Sequence, residues 1–269
     1  MNKIIKFKCA IFPLLIFSSP LALANNVINE NLDGIWQVKH VYIDSTQMSR
    51  SDFLSDDPNL VGRTVNFSTD KISGEMLVSE GCSQPSFIIQ PKTALNSLIA
   101  LTNGTEKNDS LADNYSLKQQ GNHEVTPIVI QCVSGIVGPT GEATGNWLAM
   151  LDKQTMLINW DSNSLLELQK IPADAVALPS FNCQRAATAP EKAICSSFDL
   201  SAWDRSVSIA YKMATAQIKM TGVDVPEKLT SLKKAQNKWL TLRDACKDDK
   251  SCIKKQLVSR VSDLVEEIK

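Results

Sequence analysis

Residues 171–203 read IPADAVALPSFNCQRAATAPEKAICSSFDLSAW, and the periodicity of the chain changes across them. Before them apolar residues alternate with polar ones; after them they recur every three or four positions. Pro172 and Pro179 bracket small residues in a connecting segment at 172–180. Thr188, followed three positions later by Glu191, has the form of a capping box opening a short helix over 189–196. Two architectures therefore meet here, strands on one side and helices on the other.

Toward the C-terminus, Leu200, Trp203, Val207, Ala210, Ala214 and Ile218 form one helical stripe. Thr221-Gly222 ends it, and Pro226 suits the first turn of the next helix. Leu229, Leu232, Gln236, Trp239 and Leu242 continue the pattern, and Ile253, Leu257, Val261, Leu264 and Ile268 give a third helix. Three amphipathic helices with short connections predict a small antiparallel bundle.

Toward the N-terminus, Trp36, Val38, His40 and Tyr42 alternate, as do Trp147, Ala149 and Leu151, then Met156, Ile158 and Trp160. Runs 61–67, 71–79, 124–133 and 165–169 also have strand character. About eight short strands separated by turn signals favour an antiparallel barrel or sandwich. The expected fold class is thus α+β in two domains, a β-barrel or sandwich over 25–171 and a disulfide-stapled helical bundle over 181–269. The polar stretch 90–113, with a short helix near 94–101, is a candidate binding loop.

Lys3, Lys6 and Lys8, the apolar run Cys9–Phe17 and the small-x-small site Ala22-Leu23-Ala24 form a signal peptide over 1–24, cut after Ala24. This predicts a periplasmic or secreted chain with no membrane span once cut. Six cysteines remain: Cys82, Cys132, Cys183, Cys195, Cys246 and Cys252. An even number in an exported chain implies disulfides. The simplest pairing is Cys82–Cys132, Cys183–Cys195 and Cys246–Cys252, and its main rival exchanges partners among the last four. Their spacings, with no histidine beside them, do not suit zinc, so no metal is expected.

The 269 residues are 43% hydrophobic and 21% charged with a net charge of −1, which excludes a disordered chain. The charge is unevenly spread. Residues 25–179 carry nine basic and eighteen acidic side chains, and residues 180–269 carry sixteen basic and eleven acidic ones. The nets of −9 and +5 suggest modules with different surfaces. No basic run with interleaved aromatics is present, so nucleic acid is not an expected partner. The sequence lacks a nucleophile elbow, a phosphate loop and a His-Glu-x-x-His motif, so neither an enzyme nor a cofactor is expected. The turn at Asp56-Asp57-Pro58-Asn59, ahead of Gly62-Arg63, has two readings. It is either a corner in which Arg63 pairs with a nearby acid, or an acidic loop, Asp56 and Asp57, presented to a basic partner.

Phe181-Asn182-Cys183, Ala186, Thr188, Glu191, Ile194-Cys195, Leu200, Asp204, Tyr211, Gln236, Trp239, Arg243, Cys246, Cys252-Ile253, Arg260 and Leu264 have the order and spacing of a known module. In these residues the C-terminal half resembles the LprI-type lysozyme-inhibitor domain of exported bacterial proteins. Leu257 stands where that pattern has an aromatic. Gly34-Ile35-Trp36 is similar to the Gly-x-Trp opening of lipocalin-like barrels, whose tryptophan closes one end. The resemblance implies a binding protein that occludes the cleft of a peptidoglycan hydrolase, a lysozyme or a lysozyme-like toxin. The alternative is a periplasmic small-ligand-binding or structural envelope module without inhibitory activity. Glu191, Asp204, Tyr211, Gln236, Trp239, Arg243 and Arg260 are expected to form either a structural network, with Asp204, Arg243 and Arg260 bridging between helices, or a groove that grips the partner. Target, oligomeric state and binding half stay open.

Overall fold

The computed structural model describes residues 31–46, 51–77, 80–102, 111–139, 145–172, 174–176 and 178–268. The expected signal peptide at 1–24 lies outside the described residues. The N-terminal half is a curled antiparallel sheet. Its strands are β1 (Gly34–Ile43), β2 (Thr64–Phe67), β3 (Lys71–Ser73), β4 (Cys82–Ser83), β5 (Ser86–Ile89), β8 (Pro127–Gln131), β9 (Ser134–Gly135), β10 (Trp147–Met150), β11 (Thr155–Trp160) and β12 (Ser164–Lys170). A separate two-stranded pair joins β6 (Thr93–Ala94) to β7 (Glu124–Val125).

The pairing runs in a circuit. β1 lies between β12 and β2, β2 pairs with β3, and β3 with β4. β4 and β5 follow each other in the chain and face β9 and β8, which are likewise consecutive. β8 then pairs with β10, β10 with β11 and β11 with β12. The sheet thus curls back on itself as a half-barrel, with β5 and β9 outermost in the strand order. The Cys82–Cys132 disulfide, with Cα atoms 5.3 Å apart, ties the two bent strands where the circuit closes.

Side chains fill the interior. Trp36, Val38, Val65, Phe67, Ile72, Met156, Leu166 and Leu168 are buried in one cluster. Trp36 is fully buried, and its Nε1 donates to the Leu32 carbonyl at 2.8 Å. The outer face of β10–β12 is covered as well. Helix α1 (Leu95–Thr102) and the turns around Tyr115 pack Leu95, Ile99, Tyr115 and Leu117 against Trp147, Ala149, Leu157 and Leu165. Strand β11 is therefore buried on both faces, and its sequence is apolar almost throughout rather than strictly alternating. The stretch expected as a binding loop is in its described part a cover for the sheet; residues 103–110 lie outside the described ones.

The C-terminal half is helical: α2 (Ala189–Cys195), α3 (Phe198–Thr221), α4 (Val225–Ala245) and α5 (Lys250–Glu266). The Thr188–Glu191 capping box is present at the start of α2. Gly222, at φ +66°, caps α3 in the left-handed conformation that glycine adopts without strain. The apolar stripes Leu200–Ile218 and Ile253–Leu264 meet in one core with Leu232 and Trp239. Leu242 is an exception to its stripe, facing solvent at 50% exposure near the end of α4. Leu257 is fully buried in this core.

Disulfides Cys183–Cys195 and Cys246–Cys252 staple the two ends of the helical half. Of the two pairings left open by the sequence, this is the simpler one. The three bridges span sequence separations of 50, 12 and 6 residues. Loop-closure entropy ranks them in that order, at roughly 4, 3 and 2 kcal/mol. Replacing Cys82 and Cys132 together by serine is thus expected to lower unfolding free energy the most, and the Cys246/Cys252 pair the least. Denaturant melts of the double variants check this order.

Candidate functional site

Two features of the helical half gather the polar residues singled out in the sequence. The first is a groove of about 450 Å³ between α3 and α4. Asp204 and Tyr211 line it from α3, and Gln236, Trp239 and Arg243 from α4. The helical repeat brings them together, since Asp204 and Tyr211 lie two turns apart on one face, as do Gln236 and Arg243. Asp204 is buried, and its Oδ2 accepts from the Ser180 backbone N–H at 2.7 Å, fixing the chain as it enters the helical half. The Trp239 Nε1 donates to the Gln256 carbonyl at 2.9 Å and pins α4 to α5. The Arg243 guanidinium donates through Nε and Nη2 to Asp244 Oδ1, at 3.0 and 2.7 Å, and stands 5.5 Å from the Trp239 ring centre. Lys212 and Lys233 are exposed on the rim.

Arg260 lies elsewhere. Its Nε donates to Gln236 Oε1 at 2.8 Å, and it lines a second pocket with Asp224, Glu227, Asp263 and Glu267. Burial lowers its pKa, while Asp263, Tyr211 and Glu267 act in the opposite direction. Asp204, Arg243 and Arg260 therefore do not bridge one another: each takes a nearer partner. Gln236 links groove and pocket through that hydrogen bond. Glu191 is at the capping box, accepting from the Thr188 and Ala187 backbone N–H groups at 3.0 and 2.8 Å. Those backbone bonds, Thr188 first, hold its carboxyl below the usual range.

The second feature is the seam between the halves. Asp57, expected as half of a presented acidic pair, is buried at 1% exposure. Its carboxylate accepts from the backbone N–H groups of Leu54 and Asn59, at 3.1 and 2.8 Å, and so holds the corner. Asp56 is at the surface but engaged, accepting from Val41 N–H at 3.1 Å beside His40 Nδ1 at 3.2 Å. The corner delivers Arg63 into the seam. Its guanidinium carbon lies 3.3 Å from the Trp203 ring centre, and Nη2 donates to Ser206 Oγ at 3.0 Å. The expected acid partner is absent: among the described residues no salt bridge includes Arg63. Nε and Nη1 are buried without partners. Burial pushes the pKa of Arg63 down to about 9, with Asp199 opposing and Arg205 reinforcing. Around it the Trp203 Nε1 donates to Glu75 at 3.3 Å, and Lys254 pairs with both Glu75 and Asp199. Trp203, Ser206, Glu75 and Lys254 had no signal as seam residues, because their partners lie more than a hundred positions away.

At the groove and the seam, the polar groups described position helices, a turn and one another. Among the described residues no cluster of His, Cys, Asp and Glu could hold a metal ion. No helix among them is long and apolar enough to cross a membrane. Residues 182–264 match the family model of the lysozyme inhibitor LprI. The LprI-matched region contains both helical disulfides and every motif residue of the groove. It begins at the end of the connecting segment, and the strand-rich half lies outside it. Comparisons with curated proteins and with solved structures gave no match.

Two substitutions separate the roles of Arg63. Arg63→Ala removes the stem from a filled seam and is expected to cost about 2–4 kcal/mol of unfolding free energy. Arg63→Met keeps the volume and removes a desolvated charge, so it is expected to be near neutral or stabilising. Thermal and denaturant melts distinguish the two.

Proposed function

We propose that this is an exported, non-enzymatic binding protein that inhibits a peptidoglycan hydrolase by covering its active-site cleft. The observation that carries the reading is the LprI match over residues 182–264, whose motif residues Asp204, Tyr211, Gln236, Trp239 and Arg243 converge on one groove. The three disulfides suit an extracytoplasmic setting, where thiols stay oxidised.

Charge divides the task between the halves. A glycoside hydrolase cleft carries a pair of carboxylates. Lys212, Lys233 and Arg243 at the groove are the local complement to those acids. The rest of a basic lysozyme would be repelled by a bundle of net +5 but attracted by the strand-rich half at −9. Because Arg63 and Trp203 hold the halves together, the acidic half steers the encounter while the helical half makes the contact. A ligand-carrying barrel draws no comparable support, since its interior is occupied by Trp36, Phe67, Ile72 and their neighbours.

Clearing of a peptidoglycan suspension by lysozyme tests this, using the oxidised chain from Asn25 onward. Dose-dependent protection is expected, weakening as salt screens the steering charges. Lys212→Ala with Lys233→Ala is expected to raise the half-protective concentration about tenfold at unchanged thermal stability, both side chains being exposed. Absence of protection at large excess removes lysozyme as the target.

A further inference from the structure

Cations from both halves come together at the seam. Lys39 comes from β1 and Arg205 from α3, while Lys170, at the end of β12, lines the same recess with its Nζ donating to the Asn31 carbonyl at 3.2 Å. They meet at a pocket of about 250 Å³ with no carboxylate in its lining. A smaller recess of about 170 Å³ shares Lys39, Arg205 and Gln37 with it. The acids across the seam are already used, since Glu75 and Asp199 take Lys254. Among the described residues no ion pair involves Lys39, Lys170 or Arg205.

The arrangement is built rather than incidental. The β1–β12 register shifts between Val38 and His40, so Lys39 is the extra residue of a bulge. A bulge re-aims the side chain it carries. Gln37, only 2% exposed, accepts from Lys39 Nζ at 2.7 Å through Oε1 and donates from Nε2 to the Gly62 carbonyl at 3.0 Å. That buried amide holds the ammonium in place. Burial, and after it the neighbouring Arg205, lowers the pKa of Lys39. Like charges kept together out of water are stabilised by an anion between them. The opposite wall is apolar, formed by Ile171, Pro172, Phe198 and the solvent-facing Val176 and Leu178.

We propose that the seam pocket binds a small organic anion, an oxyanion carried on a compact apolar body. Lys39 and Arg205 take the oxyanion, and the connecting-segment wall takes the body. Since β1 and α3 supply the cations from different halves, the ligand also strengthens the seam. The inference stands independently of hydrolase inhibition.

The test uses the oxidised chain from Asn25 onward at fixed ionic strength, with chloride as reference. Thermal melting and NMR titration follow acetate, inorganic phosphate and N-acetyl-dialanine. Phosphate and N-acetyl-dialanine are expected to raise Tm above the chloride value. The dipeptide is expected to bind about tenfold more tightly than acetate, because it adds apolar contact. Tighter binding of phosphate than of the dipeptide would overturn the apolar half of the proposal. Lys39→Gln and Arg205→Gln should each weaken binding about tenfold or more. Lys39→Glu puts a carboxylate among the remaining cations, so it should raise Tm without ligand and abolish the response. Lys92→Gln, at a residue that lines neither recess of the seam, should leave the response intact. The proposal fails if no anion exceeds chloride, or if both glutamine variants bind like the parent chain.

Discussion

The packing of the Arg63 side chain over the Trp203 ring joins the two architectures. Arg63 leaves the β corner and is buried over Trp203 of α3. The contact is cation–π in character and carries a desolvation cost that no acid offsets directly. The surroundings supply partial compensation: a hydroxyl, a carbonyl and the field of Asp199. Gly62 makes the approach possible. Its φ of +89° is a conformation that side-chain-bearing residues rarely adopt, and it turns the chain sharply into the seam. Everything else at the seam is arranged around that insertion, from the Asp57-held corner to the Lys254 bridge.

The groove depends on more local devices. The Thr188–Glu191 capping box opens α2, glycine closes α3, and the disulfides fasten the ends. Trp239 and Gln236 each make one bond to α5. These set the spacing of α3 and α4, leaving a polar channel between helices whose apolar stripes face the core. Such residues serve structure and recognition at once. Asp204 orders the chain at Ser180, yet stands in the channel wall.

The helices and their caps were legible because each depends on residues close in sequence. The 3.6-residue stripe, the Thr-x-x-Glu box and the Thr221-Gly222 stop are local signals. The alternating strands were legible too, except where a second layer covered the sheet. Trp147, Leu157 and Leu165 are buried on the outer face because α1 lies over them. Strand alternation alone does not reveal such a cover. The groove members were legible as a set, but their partners were not. Arg260 turned to Gln236 and Arg243 to Asp244, since each side chain satisfies itself with the nearest available group.

By itself the sequence determined two architectures, their order and the opposed net charges, and it left the pairing of the last four cysteines to the structure. Periodicity, capping and composition act over a few residues, so they can be read along the chain. Only the tertiary structure decided that Asp57 turns inward, that Arg63 stacks on Trp203 rather than pairing with an acid, and that Lys39 meets Arg205. The last two contacts join residues more than a hundred positions apart. Their outcome rests on burial, which penalises an unpaired charge and rewards a filled seam, and burial exists only once both halves have packed.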